Sequence, residues 1–268
     1  MSLRLNQSPE NFKEFFGRNV EQMPKLISEG RIPLSVAGIM QRRLDVRNAS
    51  DDVNASWRDN YFDTGDAVVY HPDGRIKIVL DAQILREMNP DSKRNAGALV
   101  LTPEQYNAMT GEEFKKGKLG KVNDGLSKED VKAHPVWKVL ARDKALFNDY
   151  VDYIFAEGKQ RFGYDTLMGV YLGSAKGDTP GDTPEMRAWY VGRLENRSLV
   201  DGRSSLDDDD GRLVGVAPEA QSAKISGIGN VQRYTMADVQ GAVSELEALE
   251  KLVRPEALDK VRLLVRKL

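Results

Sequence analysis

Ala67-Val68-Val69-Tyr70-His71-Pro72-Asp73-Gly74-Arg75-Ile76-Lys77-Ile78-Val79-Leu80 is the stretch that decides the fold class. β-Branched and aromatic residues fill both arms, and the centre holds the residues of a chain reversal. Pro72 presets the entry to the turn and Gly74 supplies positive φ. On the second arm Ile76, Ile78 and Leu80 point one way, Arg75 and Lys77 the other. The pattern predicts a half-buried antiparallel hairpin, with Ala98-Leu99-Val100-Leu101 as a third strand.

The surroundings read as helical. Ser8-Pro9-Glu10, Thr102-Pro103-Glu104 and Thr183-Pro184-Glu185 each combine a hydroxyl N-cap, a first-turn proline and an acid. The hydroxyl accepts from an orphan amide, the proline lacks only a donor without a partner, and the acid complements the positive helix end. Gln105 completes a capping box with Thr102. Helices are therefore expected from Pro9 to Glu29 (kinked or split at Pro24), from Ser35, from Thr102, beyond Pro135, over 164–172 and from Pro184. Residues 110–126, rich in Gly and Lys, read as a surface loop, and Leu213-Val214-Gly215-Val216 as a short strand. Near the end, Val239, Leu246, Leu249 and Val253, then Leu258, Val261 and Val265, recur at helical steps on either side of Pro255. The expectation is an α+β protein, mostly helical, with a small antiparallel sheet and a helical C-terminal portion.

The 268 residues suit one large domain or two smaller ones. The tandem Gly177-Asp178-Thr179-Pro180-Gly181-Asp182-Thr183-Pro184 is either a lengthened surface loop or a linker. As a linker, residues 174–184 divide an α+β domain, 1–173, from a mainly helical one, 185–268.

Composition narrows the chemistry. The chain has no cysteine and two histidines, His71 and His134, neither in a catalytic or metal-binding motif. Thiol catalysis, disulfides and thiolate metal sites are excluded, and histidine triads lack partners. The balance of 39 Lys+Arg against 41 Asp+Glu, net −2, leaves no global field for nucleic acid or anionic membrane, so a basic site must be local. No apolar run is long enough for a membrane helix, and no signal-like segment opens the chain. A cytoplasmic protein without a cofactor is the expectation.

Four groups of residues invite a functional reading. Asp207-Asp208-Asp209-Asp210 offers oxygen ligands for a hard cation, but consecutive side chains diverge and the EF-hand spacing fails, so a solvated acidic turn is preferred. Arg31, Arg42, Arg43 and Arg47 surround the helix that starts at Ser35, and a basic helix can lie in a DNA groove. Lys251, Arg254, Lys260, Arg262, Arg266 and Lys267 form a second basic segment. Asp63-Thr64-Gly65-Asp66 brings two acids together before the hairpin, yet lacks the duplication and flanking strands of an aspartic protease. Ile225 to Val231, around Gly227-Ile228-Gly229, resembles the hairpin of helix-hairpin-helix DNA-binding modules, which implies amide contacts to phosphate; Arg233 departs from that pattern where a small residue belongs.

The leading functional reading is a non-enzymatic interaction or assembly protein, a homo-oligomer or partner-binding chain that self-associates through its C-terminal stripes. Two alternatives stay open: nucleic-acid binding through residues 31–47 or the basic C-terminal segment, and a carboxylate- or metal-dependent hydrolase centred on Asp63 and Asp66 or on Asp207 to Asp210, with no catalytic role assigned to any one of them.

Overall fold

The computed structural model describes Leu3, Leu5 and residues 11–115, 117–173 and 183–217. The chain divides into two units, Met1–Ser222 and Ala223–Leu268. The second lies outside the described residues, as do Ser8-Pro9-Glu10, the 225–231 glycine hairpin, the basic C-terminal segment and the stripes Val239, Leu246, Leu249, Val253, Leu258, Val261 and Val265.

The first unit is α+β, built on a mixed sheet of eleven strands rather than the small antiparallel sheet expected. In chain order it contains β1 (Phe12–Phe16), α1 (Asn19–Ser28), β2 (Ile32–Pro33), α2 (Val36–Asp45), α3 (Asp51–Arg58), β3 (Phe62–Tyr70) and β4 (Ile76–Val79). Next come α4 (Gln83–Glu87), β5 (Arg94–Asn95), β6 (Ala98–Val100), α5 (Pro103–Ala108), β7 (Glu112–Phe114), α6 (Lys128–Ala133), α7 (Pro135–Ala141) and α8 (Lys144–Phe162). β8 (Val170–Tyr171), β9 (Glu185–Val191), β10 (Val200–Asp201) and β11 (Arg212–Val216) complete it. The main strand order is β1-β11-β3-β9-β10-β8, so the first and last strands lie side by side. No helix among the described residues is long and apolar enough to cross a membrane.

The quoted stretch forms the hairpin β3–β4, with Ala67 opposite Val79 and Tyr70 opposite Ile76. Gly74 adopts φ 89°, and its amide donates to His71 O at 2.9 Å. The hairpin is not half-buried. β3 is buried along its whole length because both faces carry a core. Phe62, Val68 and Tyr70 join Trp189 and residues of α2, α3, α7 and α8 on one side. Ala67 and Val69 join Met186, Ala188 and residues of α1 and α4 on the other. Lys77, expected on a solvated face, is covered by α5. Its Nζ donates to Tyr106 O at 2.8 Å and lies 4.0 Å from the Tyr106 ring centroid.

Capping reads through well. Ser35 Oγ accepts from Gly38 N, Thr102 and Gln105 close their box, and Ser127 Oγ accepts from Asp130 N. Other helical expectations fail. Residues 12–16 are an edge strand paired with β11, and α1 then runs through Pro24 as one element. The helix expected from Pro184 is β9, and its partners explain why. Met186, Ala188, Trp189 and Val191 are buried between the two cores while β9 pairs with β3, and tertiary pairing outweighs local propensity. Over 164–172 the chain forms only β8 and a bridge from Leu167 to Leu126. Because β9 pairs with β3, the boundary expected at 174–184 falls inside the first unit.

One irregularity organises these layers. β3 shifts register between Asp63 and Ala67. Before it, Asp63 pairs with Leu213 of β11; after it, Ala67 to Tyr70 pair with β4. Where the partner changes, the buried Asp66 carboxylate substitutes for the missing ladder: Oδ2 accepts from Val36 N at 2.8 Å and Oδ1 from Asp81 N at 2.9 Å. Arg142, between α7 and α8 at φ 63°, bonds Asp66 Oδ1 at 2.5 Å and Asp81 Oδ2 at 2.6 Å. Removing Arg142 leaves a buried charge without its cation. Since the guanidinium is partly exposed, Arg142→Met is expected to cost about 2 kcal/mol, below the fully buried range. Urea denaturation checks this, and adding Asp66→Asn to the same chain should recover part of the loss.

Candidate binding cleft

A cleft of about 440 Å³ with a mixed polar and apolar wall opens at the tip of the β3–β4 hairpin. Tyr70 to Ile76 form one wall; Gly117, Leu119, Gly120, Val122 and Asn123 form a second; Leu172 and Gly173 close it. All of these segments lie between the end of β3 and the start of β9. The core strands thus carry the cleft at one end while long connections supply its surface.

The hairpin wall is an ordered set of charges. Arg75 Nε lies 2.7 Å from Asp73 Oδ2, and Arg75 Nη1 lies 3.2 Å from Glu113. His71 Nδ1 sits 2.8 Å from Asp73 Oδ1. Asp73 pays some desolvation, but the amide and guanidinium of Arg75 and the His71 ring outweigh it and hold the carboxyl below its usual range. The Tyr106 hydroxyl donates to Glu113 Oε2 at 2.6 Å, the main reason that Glu113 is likewise depressed. Tyr70 is at the floor. Its hydroxyl donates to Gly202 O at 2.8 Å and accepts from Gly173 N at 3.2 Å, and burial raises its pKa far above the ordinary phenol value. Asn123 Oδ1 accepts from Leu172 N at 2.9 Å, tying the second wall to the third.

Beneath the second wall lies His134, buried at the junction of α6 and α7. Its Nε2 is 3.0 Å from Lys121 O, which assigns the Nε2 proton to that carbonyl, and its Nδ1 is buried without a partner. Desolvation lowers its pKa below 6.5, only partly opposed by Lys121 and Asp130. Neither wall offers a hydroxyl or thiol nucleophile beside a base, and the charged groups are committed to one another. The arrangement suits recognition by hydrogen bonds and shape better than proton transfer.

The residues singled out in the sequence lie elsewhere. Arg43 is buried and donates to Trp57 O, Tyr150 Oη, Asn60 O and Gly192 O at 2.8–3.0 Å, joining α2, α3, α8 and the β9–β10 turn. Arg42 stacks on Phe12 and Trp57 and donates to Leu5 O. Arg31 donates to Gly215 O, which leaves Arg47 as the exposed member of the four. Arg43 is therefore withdrawn from the surface, and Arg31 and Arg42 are only partly exposed.

Asp207 is held by Arg18 at 2.8 Å and Arg94 at 3.1 Å, while Asp208, Asp209 and Asp210 are exposed. Among the described residues, no three His, Asp or Glu side chains are grouped to hold a metal ion. Asp63 and Asp66 do not act as a pair. Asp63 is buried, accepts from Arg212 N at 2.8 Å, and is pushed up to about 6 chiefly by desolvation; Asp66 turns instead to Arg142.

No family model matches this chain, and no curated protein matches it. A solved structure described as "Accommodation of massive sequence variation in Nanoarchaeota by the C-type lectin fold" does, with a TM-score of 0.57 at 17% identity. The match covers 80% of this chain and 100% of that one. The fold is C-type lectin-like. In this C-type lectin-like unit the cleft sits where the connections between β3 and β9 converge, at the far end of β3 from its contact with β11.

His134 gives the cleft a pH signature. Its folded pKa is lowered, so below about 6.5 the unfolded chain takes up the proton first, and stability falls as pH drops toward and through the folded value. His134→Gln retains an amide donor toward Lys121 O but cannot titrate. Melting curves from pH 8 to pH 5 should show a shallower acid loss in the variant; parallel curves would remove His134 from this role.

Proposed function

We propose that this chain is a non-enzymatic binding protein that uses the C-type lectin-like fold as a rigid scaffold and takes its ligand at the hairpin-tip cleft. The observation that carries the reading is the division of labour along the chain. Two buried cores and the Asp66–Arg142 junction fix the strands; the cleft rests on the first core through Tyr70, Leu119 and Leu172, whereas its rim, His71 to Arg75 with Gly117, Gly120 and Asn123, comes from connections outside both cores. Such a surface can change its residues without altering the fold. The similar structure is described in terms of sequence variation accommodated by this fold, which supports the same division here.

Gly173 is the position for a test. A Cβ there would meet Arg203 and Tyr70 at ordinary distances, 3.5 Å and 3.8 Å, without the positive φ of Gly74, Gly117 or Gly120. Gly173→Trp should fill the cleft without unfolding the protein. Saturation-transfer NMR with a panel of monosaccharides, amino acids and short peptides is expected to give saturable binding by one class, lost in the variant at an unchanged melting temperature. Binding that survives Gly173→Trp, or no binding at millimolar probe, would count against the cleft.

Self-association through Val239 to Val265 forms part of the same proposal, supported by the two apolar stripes of the sequence. Light scattering should find the full chain dimeric or larger and a folded chain ending at Ser222 monomeric. Equal monomeric masses would remove the assembly half of the reading.

A further inference from the structure

A second, smaller cleft of about 280 Å³ lies at the corner between α7 and α8 and shares no residue with the hairpin-tip cleft. Lys132, Lys138, Arg142 and Lys144 line it, with Asp143 as its one acid and Asn148 and Phe147 completing the wall. In a chain whose net charge is −2, this is a local concentration of cations. Local charge in a concave site selects ligands when the global field does not.

The cations have different duties. Arg142 is anchored to Asp66 and Asp81, so it defines the wall while those two carboxylates offset its charge. Lys132 is paired with Asp152 at 2.8 Å. Asp143 spends Oδ1 on the amide of Leu146 as the N-cap of α8, at 2.7 Å. Lys138 on α7 and Lys144 at the start of α8 are exposed, and no acid of the described residues pairs with either. Two free ammonium groups therefore flank a cleft whose floor is the buried Phe147 ring, with the Asn148 amide beside it. The corner is also stiff: Arg142 holds φ 63° there, a conformation costly for a residue with a Cβ and maintained by its two ion pairs. The corner fixes where the two lysine stems begin, while each ammonium still gives up rotamer freedom when an anion binds.

We propose that the α7–α8 corner is an oxyanion site that takes a phosphate or sulfate group between Lys138 and Lys144, with Asn148 as a further donor. Tetrahedral oxyanions accept several charge-assisted hydrogen bonds at once, which matches ammonium groups approaching from two helices. A carboxylate would use fewer of them.

The test is a titration of the full chain, isotope-labelled for NMR, at low ionic strength with inorganic phosphate, sulfate or methyl phosphate, against chloride at matched ionic strength. The expected result is saturable shifts at the amides of Lys138, Lys144 and Asn148, with affinity falling as salt is added. Tighter binding of methyl phosphate than of inorganic phosphate would identify the source as a phosphate ester, and the reverse order a free ion. K138Q with K144Q should weaken binding about tenfold, since each solvent-exposed ion contact alone is worth less than a factor of ten. Gln matches Lys in helix propensity, so the melting temperature should hold. Should the double variant melt early, K138Q and K144Q singly carry the comparison. Shifts that fail to saturate by tens of millimolar, match those in chloride, or persist unchanged in the lysine variants overturn the proposal.

Discussion

The register shift of β3 between Asp63 and Ala67 is the constraint on which the rest depends. A strand that changes neighbours along one edge leaves backbone donors and acceptors unpaired at the crossing, and in a buried sheet each would cost free energy comparable to a lost hydrogen bond. Here the vacancy is closed from three directions. Gly65 N donates to Leu34 O, Ala82 N donates to Gly65 O, and the Asp66 carboxylate takes the amides of Val36 and Asp81. A buried carboxylate is itself expensive, and desolvation raises its pKa. Arg142 offsets that cost and in doing so fixes the corner between α7 and α8. The sheet, the start of α2, the turn after β4 and the α7–α8 corner are thus registered to one another through a single side chain.

Both clefts follow from that registration. Past the shift, β3 and β4 run on as a hairpin whose tip forms one wall of the larger cleft. The smaller cleft is the outer side of the Arg142 corner. A buried cation does similar work near the other end of α2: Arg43 bonds three backbone carbonyls and the Tyr150 hydroxyl, each of which would otherwise face an apolar core. Charges that are costly to bury are kept where they replace backbone partners that the sheet and helices cannot supply.

How much of this was legible in the sequence depended on whether the signal was local. The hairpin, its Gly74 turn, the Thr102 capping box and the strand at 213–216 were readable because turn chemistry and caps act within a few residues. The errors share one cause. Residues 12–16 and 185–191 carry helix-compatible patterns, and each became a strand because a distant strand, β11 or β3, was there to pair with it. Thr183-Pro184-Glu185 has every element of a helix start and still precedes a strand. The Asp63-Thr64-Gly65-Asp66 segment was noticed for its acids, but not that its two carboxylates serve different neighbours; Arg142 and Asp81 lie 76 and 15 residues from Asp66. The positive φ of Arg142 leaves no compositional trace, and that of Asp81 only a weak one, since aspartate visits this region more readily than most residues with a Cβ but far less than glycine.

The fate of the basic helix bears on function more than any motif does. A count of arginines over residues 31–47 suggests a surface for phosphates, yet Arg43 is in the core, Arg42 is stacked under Phe12, and Arg31 is tied to β11. Charge density along a sequence measures how many cations exist, not how many are free. By that standard, the lysines at 138 and 144, separated by a helix corner and unremarkable in sequence, are better placed to meet an anion than the arginine-rich helix. The same standard applies at the hairpin tip. His71, Asp73, Arg75 and Glu113 would look like a reactive set if counted, but each is paired with another, which fixes the wall's shape.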